Sequence, residues 1–103
     1  MQDLNFLVVG TNTEILNTLH RVIQQNYSWK ASICNKINDF YDVIHQQTFD
    51  VVLLSCGIPI LEEQAIQEYT IVHFPNTKTI MHFGGGSGLL KNEVFYAFNQ
   101  EIK

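Results

Sequence analysis

Charge is what this chain has least of. Charged residues make up 16% of it, and only six are basic. Those six, Arg21, Lys30, Lys36, Lys78, Lys91 and Lys103, stand singly, so no basic stripe can follow a phosphate backbone and no nucleic-acid partner is expected. Long apolar runs are missing as well. The stretch Phe6–Val9 is too short to span a bilayer, and Asp3 stands where a secretory leader needs positive charge. The expectation is a cytoplasmic chain without a membrane segment. Cysteine is scarce: Cys34 and Cys56 show neither CxxC nor Cys/His spacing. A reducing compartment argues against a disulfide between them. Strands flanking a common neighbour would also hold them about 9–10 Å apart, beyond bridging reach. The histidines His20, His45, His73 and His82 have no metal-ligand spacing either, so no metal and no cofactor are expected.

What is present suits a globule. Hydrophobic residues make up 46% of 103 positions, enough for one core and one domain spanning residues 1–103. No linker, repeat or low-complexity tract divides it. Leu4–Val9 reads as a buried strand. Thr11-Asn-Thr-Glu14 has the form of a capping box, threonine at the N-cap and glutamate at N3. Ile15, Leu16, Leu19, Val22 and Ile23 then repeat at helical spacing as far as about Asn26. Ser28–Cys34 suits a second strand with Trp29, Ala31 and Ile33 on one face. Asn38 is expected to cap a second helix whose inner face is Phe40, Val43 and Ile44.

The most informative segment is Asp50-Val-Val-Leu-Leu-Ser55-Cys-Gly-Ile-Pro59. Its apolar run lacks polar alternation, as expected of a strand buried on both faces of a parallel sheet. A third helix is expected over Leu61–His73 with Ala65, Ile66, Tyr69 and Val72 inward. A fourth strand over Lys78–Phe83, the loop Gly84-Gly-Gly-Ser-Gly88 and a last helix near Lys91–Ile102 complete the chain. Strand and helix alternate four times, which predicts an α/β fold: a parallel sheet with helices on both faces, a three-layer sandwich.

This order and these motifs resemble the receiver domain of bacterial response regulators, from Leu4 to about Gly84. Receivers end their first strand in a pair of acids; the matching positions here are Gly10 and Thr11. They carry a strand of the type Asp-Leu-Val-Leu-Leu-Asp, then a proline four residues after its phosphorylated aspartate. Asp50–Leu54 match that strand, Ser55 replaces the aspartate, and Pro59 falls on the proline. Phe83 and Gly84 stand where receivers place a small hydroxyl residue, and the fifth strand with its lysine has no counterpart. The run from His82 to Leu90 is similar to the signature of a group of small bacterial receiver-like proteins. The resemblance implies a flavodoxin-like topology truncated to four strands in the order 2-1-3-4. It also implies the Mg²⁺-dependent aspartyl-phosphate site, but Mg²⁺ prefers carboxylate and water oxygens, and Gly10, Thr11 and Ser55 offer no carboxylate. Glu14, Glu62 and Glu63 read instead as helix-start charges.

Other candidate sites have bland alternatives. Gly84, Gly85, Gly86, Ser87 and Gly88 could direct backbone N–H groups at an anion. The run lacks GxGxxG spacing and a Walker lysine, and a tight connection where only glycine fits the dihedrals is the preferred reading. Ser55 as nucleophile would need His82 as base, with no oxyanion stabiliser evident. Cys56 reads as a small buried hydrophobe. Without a fifth strand, the fourth becomes an edge that invites pairing. Met81, Phe83, Phe95, Tyr96 and Phe98 would then form a homodimer interface. The reading is a non-phosphorylatable receiver-like interaction module of bacterial two-component-type signalling, not an enzyme, acting through a protein partner. The alternative is an anion or nucleotide sensor at the carboxyl edge of the sheet.

Overall fold

Leu4–Val9 forms β1, the strand on which the fold is built. It is flanked on one side by β2, Trp29–Cys34, and on the other by β3, Val51–Leu54, with β4, Lys78–Met81, beyond β3. All pairings are parallel, and the order is β2-β1-β3-β4, as expected. The computed structural model describes residues 4–25, 29–55 and 57–81. The last helix expected from Lys91, the glycine loop and His82 and Phe83 lie outside them, as does Cys56.

Register explains the two cores. Phe6 lies between Ala31 and Val51, and Val8 between Ile33 and Leu53. These side chains share one face with Trp29 and Ile80, and α1 (Thr13–Gln24) packs there through Leu16, Leu19 and Ile23. The Phe6 and Trp29 rings meet at 5.0 Å, a contact of about 0.5–1.5 kcal/mol beyond burial alone. Leu7, Val9, Val52 and Leu54 face the other way, beneath Phe40, Ile44 and Ile66. A strand sandwiched like this needs apolar residues at every position, which is why β3 is Val-Val-Leu-Leu and buried throughout. Asp50 and Ser55 flank that strand rather than belong to it.

Three local expectations are corrected. The N-cap of α1 is Asn12, not Thr11: its Oδ1 accepts from the Ile15 N–H at 3.2 Å, and its backbone is extended. Both residue types cap well, and the chain bends at Thr11, so the helix starts at Thr13, one residue later than the box predicts. Asn38 caps nothing, because it lies within a 3₁₀ turn, Ile37–Asp39, that runs straight into the one-turn α2, Phe40–Val43. So short a helix cannot stand on its own hydrogen bonds. Packing holds it: Phe40 and Tyr41 meet Tyr69 edge-on, and His45 Nε2 lies 2.5 Å from the Tyr69 hydroxyl.

The third correction concerns α3, Ile60–His73. It turns Ile66 and Thr70 fully inward and Tyr69 partly so, while Ala65 and Val72 are exposed. Apolar residues occupy both sides of this helix, so spacing places Ile66 and Tyr69 correctly but misplaces Ala65 and Val72. Thr70 can be buried because its hydroxyl donates to the Ile66 carbonyl at 2.8 Å. Glu62 and Glu63 do occupy the first turn of α3, and Glu14 that of α1.

Candidate functional site at the carboxyl edge

Open parallel sheets bind ligands outside the carboxyl ends of their strands, where the strand order reverses. Here the reversal falls between β1 and β3, so the residues leaving those strands, Gly10 and Ser55, form the mouth. The sheet ladder extends one step into it: Gly10 N–H donates to the Cys34 carbonyl at 3.1 Å, and Ser55 N–H donates to the Val9 carbonyl at 2.9 Å.

Ser55 closes the mouth. It is 2% exposed, and its hydroxyl donates to the same Val9 carbonyl at 3.1 Å. A Cβ added at Gly10 would lie 2.0 Å from Ser55 Oγ and 3.0 Å from Leu16 Cδ2. Residue 10 and the Ser55 side chain therefore compete for one space. The glycine is required by that contact. Thr11, the second acid-pair position, is exposed on the β1–α1 connection. Its hydroxyl lies 3.6 Å from where Gly57 would carry a Cβ, so the two connections adjoin above the mouth. Gly57 itself has φ +96°, which favours glycine.

The structure thus sets Gly10 against Ser55, with Thr11 beside Gly57 on the adjoining connection. What the sequence pattern missed is the mutual exclusion of residue 10 and Ser55, and the role of Leu16 in plugging the mouth from below. Asp50, the nearest acid in the β3 segment, sits at the opposite end of the strand. Its carboxylate accepts the Asn5 N–H at 2.8 Å and pins the amino edge of the sheet. Among the described residues no three His, Cys, Asp or Glu side chains are grouped to hold a metal ion. The residues at the mouth do not fit the Mg²⁺ that a receiver site would imply: two have no carboxylate and are buried against each other, and the third is a hydroxyl.

Cys34, at the end of β2, is a free thiol whose Sγ donates to the Lys36 carbonyl at 3.1 Å. Burial pushes its pKa up, with that hydrogen bond opposing and Asp39 adding to the rise. A protonated, buried thiol is a poor nucleophile. Met81, the only one of the expected dimer-interface residues within the described set, is partly buried against α3, where Gln67 Nε2 lies 2.9 Å from its sulfur. Phe83, Phe95, Tyr96, Phe98, His82 and Gly84–Gly88 fall outside that set. Among the described residues, no helix is long and apolar enough to cross a membrane.

No protein-family model and no curated protein matches the sequence. Solved structures do match the fold. The response regulator DrrB of Thermotoga maritima, an OmpR/PhoB homologue, superposes with a TM-score of 0.65 at 21% identity over 93% of this chain. This chain spans only 42% of that protein's length. A putative pilus assembly protein, CpaE, from Burkholderia thailandensis gives a TM-score of 0.63 at 17% identity, covering 91% of this chain and 79% of that one. At such identities the likeness establishes the architecture alone. The fold is receiver-like: a flavodoxin-type parallel sheet in the order 2-1-3-4.

Proposed function

We propose that this chain is a receiver-like regulatory module that acts without phosphorylation, passing its signal through contact with a protein partner. The observation that supports this reading best is the closed mouth. In a receiver that position must present a carboxylate to solvent, metal and phosphoryl donor. Here Ser55 is buried, and its hydroxyl is spent on the Val9 carbonyl. Gly10 leaves no room for an acid unless Ser55 moves. The likeness to a response regulator in fold adds a signalling context to the proposal. The sensor alternative draws no support from the mouth, since of Gly10, Thr11 and Ser55 only Thr11 is exposed.

The test is an amide NMR titration of the protein with beryllofluoride and Mg²⁺, then with acetyl phosphate. Shifts of Gly10, Thr11 and Ser55 should stay fixed throughout. Saturable movement of those three amides would overturn the phosphorylation-independent reading. Identification of the protein that co-purifies from the native cell tests the other half; recovery of no signalling protein counts against it.

A further inference from the structure

The face of the sheet that carries α1 is wider than α1. Neighbouring strands lie about 4.8 Å apart, so four of them spread over roughly 14 Å between the outer axes, whereas one helix with its side chains is about 10–12 Å across. α1 packs on β1 and β2, at one side of that face. Val51 and Leu53 of β3 and Ile80 of β4 belong to the same face, and the register sets them progressively further from β2. Ile80 lies two strands from β1, about 9–10 Å, outside the reach of a helix seated on β1 and β2. α2 and α3 do not cover it either, because Phe40, Ile44 and Ile66 pack on the opposite face. Val51 and Leu53 are nevertheless 0% exposed, and Ile80 only 6%.

That burial exists within one chain, so the cover belongs to the chain itself and not to a second copy or another protein. Outside the described residues, 1–3, 26–28 and 56 are too short to supply it. Residues 82–103 are long enough, and they follow Met81 at the carboxyl end of β4, beside the half-face in question. Leu90, Val94, Ala97 and Phe98 stand there at i, i+4, i+7 and i+8, one helical stripe. Twelve residues of helix reach about 18 Å, more than the roughly 13 Å length of a four-residue strand such as β4. A helix set beside α1 at the usual 8–10 Å stands over β3 and β4. We propose that the α1-side face of β3 and β4 is the seat of the chain's own segment 89–102. The seat is independent of the phosphorylation reading, because no residue of the mouth takes part. It also competes with a homodimer built on the same segment, since a Phe98 ring held against Ile80 is not available to a second copy.

The test uses the full chain with methyl-labelled isoleucine, leucine and valine. Nuclear Overhauser contacts are expected from the Ile80 and Leu53 methyls to Val94 and to the Phe98 ring, and they should persist on dilution. In a mixture of labelled and unlabelled chains, the isotope-filtered spectrum should show none of them. Phe98→Leu keeps the stripe apolar and removes the ring, so the methyl resonances of Ile80 and Leu53 should shift while those of Val52, on the α3 side, stay in place. Contacts from the segment to Val52 or Met81 instead would put it on the other face and overturn the proposal. So would contacts that appear in the isotope-filtered spectrum, which would make the occupant a second copy. Absence of any contact between segment 89–102 and the Ile80 or Leu53 methyls overturns it outright.

Discussion

Gly10 and Ser55 show how one contact decides what a site can be. Adding a methyl at residue 10 forces Ser55 Oγ off the Val9 carbonyl and presses on Leu16. Gly10→Ala should therefore destabilise by about 1–3 kcal/mol, the usual cost of overpacking. Ser55→Ala should cost about 1 kcal/mol for the lost hydrogen bond. In the Ser55→Ala background Gly10→Ala should cost less, with a coupling of about 0.5 kcal/mol or more that urea melts of the double-mutant cycle can read. Independent, additive costs would show that the two side chains do not share the space. Cys34 gives a second residue-scale expectation. Its pKa is raised in the fold, chiefly by burial. The unfolded chain then loses its thiol proton at lower pH than the folded one, so N binds more protons than U in that interval and stability falls as pH rises. The effect is absent below the ordinary thiol range of about 8.5 and grows above it. Denaturation midpoints between neutral and alkaline pH should fall less steeply for Cys34→Ala than for the wild type.

Among the elements, the helix starts are where local preference and the chain path compete. Thr11 and Asn12 are both competent caps, and the geometry selects Asn12. Asn12→Ala should lower stability by about 1 kcal/mol, while Thr11→Ala should change it by less than about 0.5 kcal/mol. Equal losses would restore the capping box that the sequence suggested. At α2 the competition ends differently. With one turn and no side-chain cap, that element depends on Phe40, Tyr41 and their edge-on contacts with Tyr69. The two central strands, β1 and β3, were legible because burial on both faces leaves an unbroken apolar run over Phe6–Val9 and Val51–Leu54. The inward stripe of α3 was legible only in part: Ile66 and Tyr69 face the core as expected, but Val72 is exposed and Thr70 is buried in its place.

For the molecule as a whole, the two cores share a single sheet, so neither can melt alone without stripping one face of β1 and β3. Trp29 is the lone tryptophan and is buried against Phe6 on one face. Its fluorescence should follow the same urea transition as far-UV circular dichroism, which reports helices on both faces, as expected for a two-state domain of this size. Separate midpoints would show that the layers fold independently. The mouth between β1 and β3 belongs to this scale too, since residues 45 apart in sequence, Gly10 and Ser55, meet only because the strands are neighbours.

By itself the sequence determined the class of fold and the strand order that its receiver resemblance implied. These are properties of residue type and spacing, and they survive any detail of packing. Tertiary structure decided the rest: that Ser55 turns inward to the Val9 carbonyl, that Gly10 has no space for a side chain, and that α3 buries Thr70 while leaving an apolar stripe outside. Each depends on which atoms reach the same few ångströms, and a linear pattern carries no record of that distance.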